Sequence, residues 1–301
     1  MRPLLLQFVV PGVGPIALSA WFTLVILGVC LGMWVAAQEA RRGGDDPRAV
    51  VQVATLCVLA GLAGGRLGHL ATTSRDLYLQ DPMRLLRFWE GGMVLLGGLA
   101  VAIPVGLLAA RRRGMSPLRT ADAIAPALAL GIALGRVGCF FAGCCYGRPI
   151  EYGTGVEWPF AAVFLGGQVP EALRGIALHP TQIYASLAAL LLFVVLRRQR
   201  VRQTFDGQVA ALFLVLYGSI RPLLELLRFD AARGFLLPEM LGEHVSTSQA
   251  LSVPMLVAGV AASLWARRQA QGEGVAGLNA HGAREARRRA GVQRVVGASS
   301  R

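Results

Sequence analysis

The chain has 301 residues, 54% of them hydrophobic and only 16% charged, with a formal net charge of +13. A soluble domain carries about a quarter charged residues, so this composition excludes a surface facing water throughout. All 30 basic residues are arginine, and they gather at the ends of apolar runs, a membrane pattern that argues against a nucleic-acid partner.

Taken in chain order, residues 1–14 are rich in Pro and Gly with one arginine, and they show no cleavable signal peptide. Seven apolar runs then approach the roughly 20 residues a spanning helix needs: 17–38, 49–70, 93–110, 121–142, 181–196, 207–227 and 250–266. They predict an all-α fold, a polytopic membrane protein of about seven transmembrane helices. The third and fifth runs are short and can extend at one end.

Arginine placement orients the spans. Arg41, Arg42 and Arg48 follow the first, Arg111, Arg112, Arg113 and Arg119 the third, Arg197, Arg198, Arg200 and Arg202 the fifth, and Arg267 and Arg268 the seventh. Basic loops face the cytoplasm, so the expectation is a bacterial inner-membrane protein with a periplasmic N-terminus and a cytoplasmic C-terminus. The long connection 144–180 would then form a small periplasmic cap. Residues 1–268 read as the membrane domain and 269–301 as a basic, disordered tail that, with the basic loops, meets anionic membrane lipids.

Charge inside hydrocarbon is costly, about 2.5 to 3.5 kcal/mol per group, so polar residues within the spans mark candidate sites. On the sixth span Arg221, Glu225 and Arg228 are spaced to share one helical face. A self-neutralising stripe would explain them, but two arginines to one glutamate better suit an anionic ligand. The fourth span carries Gly135-Arg136-Val137-Gly138, followed by Gly143 and Gly147-Arg148. The second ends in Gly64-Gly65-Arg66-Leu67-Gly68, where Arg66 either snorkels or joins the site. The alternating topology brings Arg66, Arg136, Arg221, Glu225, Arg228, Glu90 and His179 to one outer depth. Arginine forks match phosphate oxygens, so a phospholipid headgroup is the natural ligand.

Four ordered motifs resemble the bacterial prolipoprotein diacylglyceryl transferase family. They are Trp89-Glu90-Gly91-Gly92-Met93 with Gly97-Gly98-Leu99; the Arg136-to-Arg148 signature; His179-Pro180-Thr181-Gln182-Ile183-Tyr184; and Tyr217-Gly218 with Arg221, Glu225 and Arg228. The resemblance implies transfer of diacylglyceryl from phosphatidylglycerol to the lipobox cysteine thiol of a prolipoprotein signal peptide, with no metal or organic cofactor. It implies Arg136, Arg221, Glu225, His179 and Glu90 as catalytic groups. Arg136, Arg221, Arg228, Arg66, Arg148, Gly97, Gly98 and Tyr217 would contact phosphatidylglycerol. A phospholipid-binding paralogue with another acceptor, or a non-catalytic membrane binding protein, is the alternative.

The chain departs from the family pattern at several proton-handling positions. Leu96 stands where the family has the histidine of His-Gly-Gly-Leu. Cys139 and Ala142 replace its asparagines, Cys144 its glutamate, and Phe22 a tyrosine. Cys139, Cys144 and Cys145 lack the Cys-x-x-Cys spacing of a metal site. Packing as small apolar residues is the default for them, with a disulfide open as well.

Overall fold

The computed structural model describes residues 4–10, 14–72, 75–86, 92–150, 161–230, 246–265 and 267–268. A two-stranded hairpin opens the chain, β1 (Leu4–Val10) pairing antiparallel with β2 (Gly14–Ser19). Then follow α1 (Ala20–Arg42), α2 (Pro47–Thr72), the short α3 (Arg75–Gln80), α4 (Leu95–Arg112) and α5 (Pro117–Ala142). Strands β3 (Ala162–Val163) and β4 (Ala177–Leu178) precede α6 (Thr181–Val201), α7 (Gln208–Glu225) and α8 (Thr247–Trp265). All but α3 are long and apolar enough to cross a membrane, giving seven spans.

The spans are those read from sequence, with shifted ends. The first begins at Ala20 and not at 17, because residues 17–19 complete β2 and Ser19 caps the helix, its Oγ accepting from Phe22 N at 3.1 Å. The fifth runs on to Val201, since arginines are good helix formers at a helix end. The hairpin departs from an all-helical expectation: residues 4–10 are too few to span and satisfy their backbone by pairing with 14–19.

α5 is the central element, packed against α1, α6 and α7. Small residues let the helices close on one another, as expected where lipid supplies no hydrophobic drive between them. A Cβ on Gly32 would lie 3.4 Å from Ala127 O, and one on Gly138 3.1 Å from Trp21 Cα. Ser186 of α6 donates to Ala133 O of α5 at 3.0 Å. Gly218 and Gly259 form the α7–α8 seam, where a Cβ on Gly259 would meet Ala211 O at 2.9 Å.

The arginine-rich end of the bundle holds a buried ionic network. Glu39, fully buried, accepts from Arg42 at 2.7 Å and Arg197 at 2.9 Å. Asp122 of α5, also fully buried, accepts from the backbone of Gly207 at 2.6 Å and Ala210 at 2.8 Å. It thereby caps α7 from a neighbouring helix, and Arg200 lies 3.8 Å away. These contacts tie α1, α5, α6 and α7 together at the end remote from the polar site.

Candidate active site

At the other end, the turn after α5 is fixed before any functional side chain is considered. Gly143, at φ 72°, ends the helix in the left-handed region that glycine tolerates. Cys145 follows at φ 58°, a conformation a side chain enters at a cost. The beginning of α6 holds this turn: Thr181 Oγ1 donates to Cys145 O at 2.6 Å, and Gln182 Nε2 to Cys144 O at 2.7 Å. Gly147 N donates to His179 O at 3.0 Å, Arg148 N to Leu227 O at 3.0 Å, and Phe229 N to Tyr146 O at 3.2 Å. A Cβ on Gly147 would stand 2.6 Å from His179 O, so only glycine permits this approach. The segment after α5 thus joins the segments before α6 and after α7. Phe164, Val169, Leu178, Tyr146 and Ala162 make the small hydrophobic core of the cap beneath them.

A cleft between α5, α6 and α7 is lined by Arg136, Arg221, Tyr217, Ile132, Ala185 and Leu224 among others. Tyr217 stacks on Phe213, with ring centroids 5.5 Å apart and planes within 5°. Arg221 pairs with Glu225 at 2.8 Å, one helical turn away. Arg136 makes no ion pair with any described carboxylate. The cleft is narrow, with free space of about 20 Å³, so its guanidinium groups converge on a confined volume. A second cavity, of about 390 Å³ and almost wholly apolar, lies among α1, α2, α4 and α5, and Ile132 lines both.

Arg228 lies just beyond α7, which ends at Glu225, so the three charged residues do not lie along one continuous helix. Arg228 nevertheless reaches Glu225 at 3.4 Å and grips Asp230 with two hydrogen bonds, 2.9 and 2.7 Å. Burial disfavours the Arg228 cation, but the bond to Asp230 and the charges of Cys145, Asp230 and Glu225 outweigh it and raise its pKa. Asp230, 4% exposed, is the functional neighbour that sequence reasoning missed. It changes the balance near the cleft from two arginines and one glutamate to Arg136, Arg221 and Arg228 against Glu225 and Asp230. Glu225, 2% exposed, keeps Oε1 without a hydrogen-bond partner among the described residues.

The remaining expected site residues divide clearly. His179 sits at the start of α6, its Nδ1 3.5 Å from the Tyr184 hydroxyl, and burial lowers its pKa. Arg66 is buried, donating to Gly92 O at 2.9 Å with Tyr78 beneath it, the ring centroid 5.5 Å from the guanidinium carbon. It does not line the Arg136–Arg221 cleft. Arg148 has an exposed side chain and contributes its backbone to the segment junction. Gly97 and Gly98 lie at the α2–α4 seam, where a Cβ on Gly98 would stand 3.0 Å from Gly61 O. They pack this seam closely and do not line the Arg136–Arg221 cleft. Glu90 lies outside the described residues.

The sulfurs of Cys139, Cys144 and Cys145 all lie within 4.8 Å of one another. Cys144 Sγ points at Cys139 O, 3.7 Å away. Four residues separate the first two cysteines, and the helix end and left-handed turn bring them together in a way that spacing alone did not reveal.

A model of the prolipoprotein diacylglyceryl transferase family matches residues 9–265. The chain is also 30% identical over 279 residues to the phosphatidylglycerol–prolipoprotein diacylglyceryl transferases of Shigella boydii serotype 4 (strain Sb227) and Escherichia coli (strain K12 / DH10B). Each alignment covers 87% of this chain and 93% of the relative. With the seven spans and the arginine cleft in place, the chain belongs to the prolipoprotein diacylglyceryl transferase family.

Proposed function

We propose that the protein transfers the diacylglyceryl group of phosphatidylglycerol to the lipobox cysteine thiol of a prolipoprotein signal peptide. The observation that carries this reading is Arg136, a cation within a membrane span, facing a cleft shared with Arg221 and paired with no carboxylate among the described residues. Such a group calls for an anion, and a lipid phosphate supplies one at the depth where the substrate resides. The names of the relatives give phosphatidylglycerol and a prolipoprotein as the two substrates of those proteins.

Arg136 and Arg221 hold the phosphate and offset charge as it gathers on the departing glycerol phosphate. The apolar cavity beyond Ile132 suits acyl chains. Glu225 holds Arg221 in place and keeps one oxygen free to accept a proton from the acceptor thiol. His179 and Glu90 are further proton-handling candidates. Arg228 is held chiefly by Asp230 and Glu225, so it shapes the cleft's field more than it grips lipid. The excess of arginine at the opposite end supports placing that end in the cytoplasm and the cleft toward the outer leaflet. The basic composition of residues 269–301, which lie outside the described residues, suits anionic headgroups on the cytoplasmic side.

The test is reconstitution of the full chain with phosphatidylglycerol and a lipobox peptide. Wild type should form the thioether, and Arg136→Ala and Arg221→Ala should each lose about 100-fold or more in rate. Equal product from all three would sink the proposal.

A further inference from the structure

The transferase reading leaves the three clustered thiols without a task. We propose that Cys139, Cys144 and Cys145 form a thiol–disulfide switch: a bond between Cys139 and Cys145 removes the charge that Cys145 sets against Arg136 and opens Arg136 to a lipid phosphate. The disulfide stands on its own geometry, and its effect on lipid rests on the proposed function of the cleft.

Two of the thiols meet because of how α5 ends. Cys144 N donates to Cys139 O at 3.2 Å and Gly143 N to Phe140 O at 3.3 Å, the paired bonds that close a helix on a left-handed glycine. In that arrangement the side chains at the positions of Cys139 and Cys144 regularly touch, and here both are cysteine. Cys145 follows at φ 58°, its carbonyl held by Thr181 and that of Cys144 by Gln182. Its sulfur joins the other two within 4.8 Å. A strained backbone position that a neighbouring helix holds in place points to function at that residue.

All three thiols are only half-buried, so a small disulfide reaches them. Hydrogen bonds from the Cys139 and Cys144 thiols, with the charges of Arg228 and Arg136, outweigh burial and hold the Cys145 pKa far below that of an ordinary thiol. Cys145 is therefore the attacking group. Its thiolate displaces one sulfur of an external disulfide and becomes bonded to the other. Cys144 cannot resolve this adduct without distorting the planar peptide that joins it to Cys145. Cys139 can: it passes its proton to the departing thiolate and expels the second sulfur from Cys145. Two protein thiols are oxidised as the external disulfide is reduced to two thiols. Bonded sulfurs lie about 2.05 Å apart, a gap that side-chain rotation closes from within 4.8 Å. The outer compartment, toward which the cleft is proposed to face, is oxidising.

The switch is coupled to the cleft by charge. Arg136 lies one turn before Cys139 on α5, and the charge of Cys145 acts on both Arg136 and Arg228. In the reduced protein the Cys145 thiolate serves Arg136 as an anion. In the disulfide that charge is gone. Arg228 keeps Asp230, whereas Arg136, which pairs with no described carboxylate, is left to the lipid.

The test adds glutathione disulfide to the full chain in phosphatidylcholine nanodiscs, alkylates the remaining thiols and maps the peptides by mass. A Cys139–Cys145 crosslink is expected in the wild type, in Cys30→Ser and in Cys144→Ser. Cys139→Ser should instead retain the glutathione adduct on Cys145, and Cys145→Ser should form neither. A crosslink that avoids Cys145, or none in the wild type, overturns the switch. Phosphatidylglycerol titrated into the same discs should bind about tenfold more tightly to the oxidised wild type than to the reduced. Cys145→Ser, lacking the charge, should show the tighter affinity in both conditions. Equal affinity of the two wild-type forms overturns the effect on Arg136. Thioether formation is read separately: its absence beside an intact crosslink and tighter binding counts against the transferase reading and leaves the switch standing.

Discussion

Asp230 accepts from Nε and Nη2 of Arg228 at 2.9 and 2.7 Å, and both residues are buried. A fork held in this way has fixed orientation, and Arg228 spends its remaining hydrogen-bonding capacity near Glu225. Asp230→Ala should therefore cost about 2 kcal/mol of stability, read as a lower midpoint in thermal unfolding of the detergent-solubilised protein. An unchanged midpoint would show that the pair is incidental.

Glu225 separates two roles that a simple loss of activity would confuse. Glu225→Gln keeps the shape but removes the charge that pairs with Arg221 and Arg228. The rate at saturating phosphatidylglycerol should fall about tenfold or more, while KM for phosphatidylglycerol should not rise, since Arg221 is freed toward the phosphate. A rise in KM with kcat unchanged would place Glu225 in lipid binding and not in proton transfer.

Two glycines test the helix seams. A Cβ on Gly97 would collide with Gly64 O across the α2–α4 contact, whereas one on Gly135 meets nothing within 4 Å. Gly97→Ala should destabilise by about 1–3 kcal/mol through overpacking, and Gly135→Ala should be neutral or stabilising by up to about 1 kcal/mol. Denaturant titration of the two variants checks the order, and a reversed order would refute the seam.

His179 gives a pH dependence with a definite sign. Burial lowers its folded-state pKa, so the unfolded chain binds the proton more tightly. Stability should be level above about 6.5, the unfolded value, should decline as pH falls from there toward the lowered folded value, and should level again below it. Thermal midpoints measured across this range should lose that slope in His179→Gln. A wild-type midpoint that rises on acidification would contradict the burial.

Asp122 should matter for folding and not for chemistry. Asp122→Ala leaves the amides of Gly207 and Ala210 without their acceptor and should cost about 1–2 kcal/mol. Hydrogen exchange should quicken in the first turn of α7, with KM for phosphatidylglycerol unchanged. Exchange as slow as in the wild type would show that the cap is dispensable.

Hydropathy made the seven spans legible, and the arginine clusters marked one end of the bundle. The alternation of span direction puts Arg136 and Arg221 at one depth, and both line one cleft, whereas Arg66, placed at the same depth, does not line it and Tyr217 entered only through the resemblance. Other features depended on tertiary geometry. Asp230 lies beyond α7, where the 3.6-residue period no longer applies, and it reaches Arg228 across an irregular turn. Gly97 and Gly98 sit within a motif, yet their near neighbours on α2 belong to a packing seam, and a sequence cannot say which face of a glycine is crowded. The cysteines converge because one backbone position adopts a left-handed conformation that no residue type announced. Residues 17–19 read as helix from hydropathy alone but pair as a strand, since apolar character does not separate the two.

Ile132 borders both the narrow charged cleft and the broad greasy cavity. If acyl chains occupy the greasy side as proposed, trimming or enlarging that branch would retune tail preference while the arginines stay untouched.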